Sequence, residues 1–251
     1  MTAEAVIAAL NLPPGARVDQ RVPKKLLLEN GAPTAADKRL INEGIEGIQW
    51  LAALKPATCG VPEFRDEVRE YLEIAVLQMT LRVQAKETRL VELLHRAVPY
   101  PVLLLIERAD SVSLSLAHKR QALKEADKVV LDGEPTTVVL QPADGDIHTA
   151  FLRALDLTRQ PHATLHALYQ GWLDTVVALQ AALVTGAFTL LDSAERAQQR
   201  RQALHAAMQL QAQIAELRRA AVKASQMARQ VELNLQIQNA QRELQLVSRD
   251  L

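Results

Sequence analysis

The last proline of the chain is Pro161, and the 90 residues after it (162–251) run without another. Proline removes a backbone donor and clashes with the preceding helical turn, so a stretch this long without one constrains the chain toward long helices. The apolar spacing agrees. Leu165, Leu168, Trp172, Val176, Leu179 and Leu183 form one stripe, which predicts a helix from about Pro161 to Thr185 with Gly186 as its terminator. Further on, Ala203, Ala207, Leu210, Ile214, Leu217, Ala221, Ala224, Ala228, Val231 and Leu235 step alternately by four and three, the a/d seam of a heptad repeat. A second seam, Leu233, Ile237, Ala240, Leu244, Val247 and Leu251, restarts two residues out of step near Asn234. One helix over about 193–248 is expected, on the order of 80 Å long at 1.5 Å per residue. The helix before it is too short to cover the whole seam. An association surface is therefore expected at Leu210, Ile214, Leu217, Val231 and Leu235, formed as a homodimer or onto a partner's helix.

The first 150 residues read differently, because Pro13-Pro14-Gly15, Asn30-Gly31, Pro56, Gly60, Pro62, Gly133 and Pro142 cut them into short pieces. Thr34 with Asp37 three residues later predicts an N-cap and a helix through about Glu43. Ile48–Leu54, a longer stretch from Tyr71 to Arg82, and the apolar run Val102–Ile106 read as strands, with a helix carrying Leu90, Leu93, Leu94 and Ala97 before the last. Ser111–Leu116 alternates strictly, which predicts a strand with its serines toward solvent. Weaker strands at Lys128–Leu131 and Thr136–Leu140 flank the turn dipeptide Asp132-Gly133. The expected architecture is an α+β N-terminal domain over residues 1–145, then an all-helical C-terminal module over 146–251 with one long coiled-coil-like helix.

Composition removes several function classes. With 29 basic and 29 acidic side chains the formal charge is zero, so the chain as a whole lacks the positive field of a general nucleic-acid binder. At 3% aromatic it also lacks base-stacking platforms. Cys59 is the one cysteine, which excludes a disulfide framework and suggests a reducing, cytoplasmic setting. No apolar run approaches the roughly 20 residues needed to span a bilayer, so no membrane segment is expected.

Nucleotide-binding glycine loops, the Gly-x-Ser-x-Gly elbow and the His-Glu-x-x-His pair are all missing, and no cofactor is expected. His162 and His166 stand four apart on a helical face without a third ligand at matching spacing. Glu70, Glu73 and Lys119 could form part of a metal-dependent nuclease set, but the usual Asp then Glu-x-Lys order is absent. Cys59 has no neighbouring histidine to activate it. No catalytic or metal-binding residues are assigned. Arg21, Lys24 and Lys25, with His118, Lys119 and Arg120, are candidates for binding an anion or a partner's acidic patch.

At the same stretches the chain resembles a bacterial family, domain of unknown function 4391. The resemblance is carried by Gln20-Arg21-Val22-Pro23-Lys24-Lys25, the run from Glu29 to Arg39, Trp50–Pro56, Tyr71–Val76, Pro99-Tyr100-Pro101, Leu114–Arg120 and Val231-Glu232-Leu233-Asn234. Family members tend to be encoded beside helicases and DNA methyltransferases in bacterial defence regions. The resemblance therefore implies a non-catalytic accessory part in anti-phage defence or restriction-modification, with such a helicase or methyltransferase as protein partner. A metal-dependent nuclease, or a module that contacts DNA directly without catalysis, is the alternative in the same setting.

Overall fold

The computed structural model describes residues 2–122, 125–140, 145–224 and 226–251, and the chain divides into two units, Met1–Val176 and Val177–Leu251. The first begins with α1 (Ala3–Ala9), β1 (Arg17–Arg21) and α2 (Lys24–Asn30). Next comes α3 (Ala35–Gly44), opened where expected: the Thr34 hydroxyl accepts from the Asp37 amide at 3.1 Å. β2 (Ile45–Leu54) runs into the single turn α4 (Pro56–Cys59), and the short β3 (Phe64–Arg65) and β4 (Glu70–Tyr71) pair with each other. β5 (Ile74–Leu81), α5 (Glu87–Ala97) and β6 (Val102–Glu107) follow. After them come β7 (Val112–Leu116), β8 (Lys119–Ala122), β9 (Glu125–Leu131), β10 (Thr136–Leu140) and α6 (Asp146–Ala154).

Six strands form one mixed sheet in the order β1-β2-β5-β6-β7-β10. Only β5 and β6 are parallel, and a parallel pair needs a crossover, which α5 supplies. On one face Ala75, Leu77 and Met79 with Val102, Leu104 and Ile106 pack against Leu27, Ile41, Leu90, Leu93 and Leu94 from α2, α3 and α5. The alternate side chains Leu103, Leu105, Leu114 and Leu116 are buried too, so the central strands are covered on both faces. Arg89 of α5 holds Asp37 of α3 with two bonds of 2.8 and 3.0 Å. That pairing pulls the Asp37 carboxyl down to about 2. Gly31 ends α2 where a Cβ would stand 2.7 Å from Ala97 Cβ, so its missing side chain is what lets α2 approach α5.

Two sequence expectations fail here. Ser113 and Ser115 are buried, because β7 lies between β6 and β10 and its serine face lies under α5, where Ser115 meets His95. Alternation reports polarity, and polarity equals exposure only when one face of the sheet is wet. Asp132-Gly133 joins no hairpin: β9 pairs with β8 and β10 with β7, so the turn, with Gly133 at φ +96°, hands the chain from one sheet to another.

α7 (Leu165–Thr185) starts four residues after Pro161 and runs across the boundary between the units. Its first half belongs to the sheet unit, since the buried Tyr169 hydroxyl bonds the Val102 carbonyl at 2.8 Å and Trp172 Nε1 donates to the Leu155 carbonyl at 2.8 Å. The sheet unit therefore extends past the expected boundary at residue 145. Of the expected stripe, Leu165 through Leu179 is buried and Leu183 is exposed.

In the second unit Gly186 ends α7 at φ +81°, as expected of a helix terminator. The long helix there is α8 (Ala194–Lys223), of 30 residues, capped by Ser193. It does not continue to residue 248. The backbone turns extended at Ala224, and α9 (Met227–Val247) forms separately. Leu210 and Ile214 of α8 pack with Ala240, Ile237, Leu244 and Val247 of α9, so α9 folds back along α8. The physical reason lies in the two seams: on one straight helix both would face water, whereas folding back buries the second seam against the first. The two-residue offset near Asn234 lies inside α9, where Leu233 and Ala240 of the second seam are buried and Val231 and Leu235 of the first are exposed.

Candidate functional site

Where the small strands β3, β4 and β8 approach the first turns of α7, five rings gather from distant parts of the chain. Tyr71 of β4 is fully buried, and its hydroxyl bonds His118 Nδ1. His118 Nε2 lies 2.8 Å from Gln170 Oε1, and Gln170 Nε2 donates to Asp174 Oδ1 at 2.9 Å. A carboxylate only accepts, so the Gln170 amide nitrogen must face Asp174 and its oxygen must face His118. His118 therefore donates through Nε2 and accepts a hydrogen bond from the Tyr71 hydroxyl at Nδ1. Both ring nitrogens are committed in the neutral form, and burial pushes the His118 pKa down to about 4. Burial also raises the Tyr71 hydroxyl well above its ordinary range.

His166, half-buried, stacks on His118 with centroids 5.3 Å apart, contacts Phe64 at 4.8 Å and meets Tyr71 edge-on at 4.8 Å. Its imidazolium form is disfavoured by burial and then by Arg69, with Asp66 opposing. Arg69 is itself held by Asp132 at 2.6 Å, which raises its pKa. Tyr169 completes the cluster, receiving the Ala117 amide at 2.8 Å.

Beside the rings lies a second buried polar group. Lys119 is 3% exposed and donates to the carbonyls of His95 and Val98, the unpaired C-terminal acceptors of α5. Burial pulls its pKa down to about 7. His95 Nε2 meets Ser115 Oγ at 3.0 Å, and Thr137 donates to the same oxygen at 3.0 Å. Burial, then Lys119, pushes His95 down to about 3.

The two basic clusters of the sequence are thus kept apart and differ in character. β1 and β7 are four positions apart in the sheet, so Arg21 and the segment after β7 are separated by about 19 Å at 4.8 Å per strand. Lys119 is a helix-capping lysine with no reach to a ligand, His118 is locked between Tyr71 and Gln170, and Arg120 lies 3.7 Å from Asp132. The reason is period: β8 alternates, sending Lys119 inward and Arg120 outward, where adjacency in sequence suggested one patch. Lys25 pairs with Glu29 at 3.6 Å. Arg21 and Lys24 instead line a groove with Val22, Pro23, Glu46, Gly47 and Ile48.

The nuclease set is not assembled. Glu73 is buried and pairs with Lys55 at 3.1 Å, Glu70 pairs with Arg65 at 3.0 Å, and Lys119 is enclosed elsewhere. Among the described residues no three His, Cys, Asp or Glu side chains converge as metal ligands. The association seam is divided: Leu210 and Ile214 are buried inside the α8–α9 pair, Leu217 is half-buried, and Val231 and Leu235 are exposed. Among the described residues no helix is long and apolar enough to cross a membrane.

A mixed sheet stapled by a tyrosine–histidine cluster, followed by a helical stretch, defines an α+β class. The family model for domain of unknown function (DUF4391) matches residues 10–244, and the chain belongs to that family. No curated protein matches it, and no solved structure does either.

Proposed function

We propose that the protein is a non-catalytic accessory protein that docks a partner protein through the outer face of α9. The observation that carries this reading is a row of Met227, Val231 and Leu235, which are 80%, 64% and 56% exposed. Their spacing, i, i+4, i+8, is a ridge of the kind that fits the groove of another helix. Single exposed apolar residues are ordinary, but each of these gains about 1.5–3 kcal/mol on full burial, and together they make a helix-sized anchor. The family resemblance supports the setting: a bacterial anti-phage defence or restriction-modification assembly, with a helicase or DNA methyltransferase as the partner.

The test is to recover tagged protein from its native host and quantify any bound helicase or methyltransferase for wild type, Val231→Asp and Leu235→Asp. Recovery of such a partner, lost in both variants while their melting temperatures stay unchanged, is expected. Undiminished recovery in both variants contradicts the docking face. Cleavage of plasmid DNA with Mg²⁺ or Mn²⁺ that disappears in Glu73→Ala contradicts the non-catalytic reading.

A further inference from the structure

Beyond that reading, the geometry points to a binding site for a small phosphate monoester in the groove between the β1–α2 connection and the start of β2. The groove is open to solvent, has a volume of about 330 Å³ and is lined by Arg21, Val22, Pro23, Lys24, Glu46, Gly47 and Ile48. That is room for a phosphate and a ring-sized substituent, toward the small end of ligand pockets.

Charge and donor geometry select the ligand. Arg21 is exposed on the edge strand β1, opposite Gln49 of β2, with its guanidinium free to form a two-pronged contact. Lys24 gives one bond to the Ile45 carbonyl and keeps two ammonium donors for a ligand. Arg82 stands behind it, its Nη1 tied to the carbonyls of Asn42 and Glu43 at 3.1 and 3.0 Å, and adds field without reaching in. These cations crowd one another: after burial, Arg82 and Arg21 push the Lys24 pKa down, and Glu46 opposes. Three positive charges against one carboxylate leave about +2, matching a phosphate monoester, which carries about −2 above its second pKa near 6. Binding such a dianion relieves the repulsion.

Shape limits the ligand's size. Val22 and Pro23 give the groove an apolar edge suited to an aryl or base-like substituent, and Ile48, 2% exposed, belongs to the core beneath it. At Gly47 a Cβ would meet nothing within 4 Å, so the floor is open at that point. Lys25, turned to Glu29, lies outside the lining. One compact cluster on a chain of zero net charge offers no continuous track for a polyanion.

The test is calorimetric titration of the full chain with phenyl phosphate, inorganic phosphate, phenol and a single-stranded oligonucleotide lacking terminal phosphates. Phenyl phosphate is expected to bind with Kd on the order of 1 mM, more tightly than inorganic phosphate, with no binding of phenol. Arg21→Gln, an exposed change, is expected to weaken it about tenfold, Gly47→Leu to block it by filling the floor, and Lys25→Gln to leave it unchanged. Absence of binding, or an equal loss in Lys25→Gln, overturns the site. Oligonucleotide binding tighter than that of phenyl phosphate and lost in Arg21→Gln overturns the small-ligand assignment in favour of a polynucleotide.

Discussion

The sheet unit and the helical unit are held together by different kinds of contact. In the first, polar side chains from segments about 20 to 50 residues apart are buried and hydrogen-bonded: Tyr71 on His118, His118 on Gln170, Lys119 on the end of α5, Ser115 on His95, with His95 Nδ1 left without a partner among the described residues. Each bond is directional, and an unmade one in the interior costs about 1–3 kcal/mol, so these contacts allow one register only. In the second, Leu210, Ile214 and Ala240 meet across an apolar seam. Such a seam attracts any helix that carries another one, which leaves the choice between folding back and associating to finer features.

The largest effect that sharpens this contrast is expected at Trp172, fully buried and bonded to the Leu155 carbonyl. Trp172→Ala is expected to cost about 3–5 kcal/mol in chemical denaturation, with loss of the whole sheet unit's cooperative transition. A cost near 1 kcal/mol would break the account of α7 as part of that unit.

Acidification comes next. Folding lowers the His118 pKa from about 6.5 to about 4, so between these values the unfolded chain holds a proton that the folded chain refuses. Stability is therefore present above pH 6.5, falls as the pH drops, and levels off below 4, a loss of about 3 kcal/mol at about 1.4 kcal/mol per pKa unit. His95 acts in the same direction. Denaturant midpoints at pH 7 and 4.5 are expected to converge between wild type and His118→Gln. A gap that stays constant contradicts the neutral clasp.

Ile214→Ala, in the seam of the helical unit, is expected to cost about 2 kcal/mol and to loosen α9 without altering the sheet unit, as read by amide hydrogen exchange. The smallest effect is expected at Val231→Ser, exposed on the outer row, where stability changes by less than about 0.5 kcal/mol in the same denaturation assay.

The same contrast explains what the sequence revealed. α3, β2, β5, α5, β6 and most of α7 are legible because a cap, a proline or a run of apolar residues marks each one. α1, β1 and α2 are short: α1 is almost uniformly small and apolar, and β1 and α2 mix charged with apolar residues, so no period identifies them. The serines of β7 read as exposed because a strand's own pattern does not show what packs on it. The ring cluster left almost no signal, since its members come from β3, β4, the segment before β8, and α7; only His166 and Gln170, four apart, hint at a shared face. The turn at Ala224 carries no proline or glycine, and the heptad spacing runs through it as Ala221, Ala224 and Ala228, so no local signal marks it.

That turn divides the seam into a buried inner half and an exposed outer row, and spin-label distances test it most directly. With Cys59 replaced by serine, nitroxides at Gln211 and Asn239 in chains diluted with unlabelled protein report whether the segment folds back. Helix axes packed about 8–10 Å apart put the labels within about 25 Å of each other. One unbroken helix would hold them about 42 Å apart at 1.5 Å per residue, and a distance distribution centred there would contradict the α8–α9 fold-back and the docking face built on it.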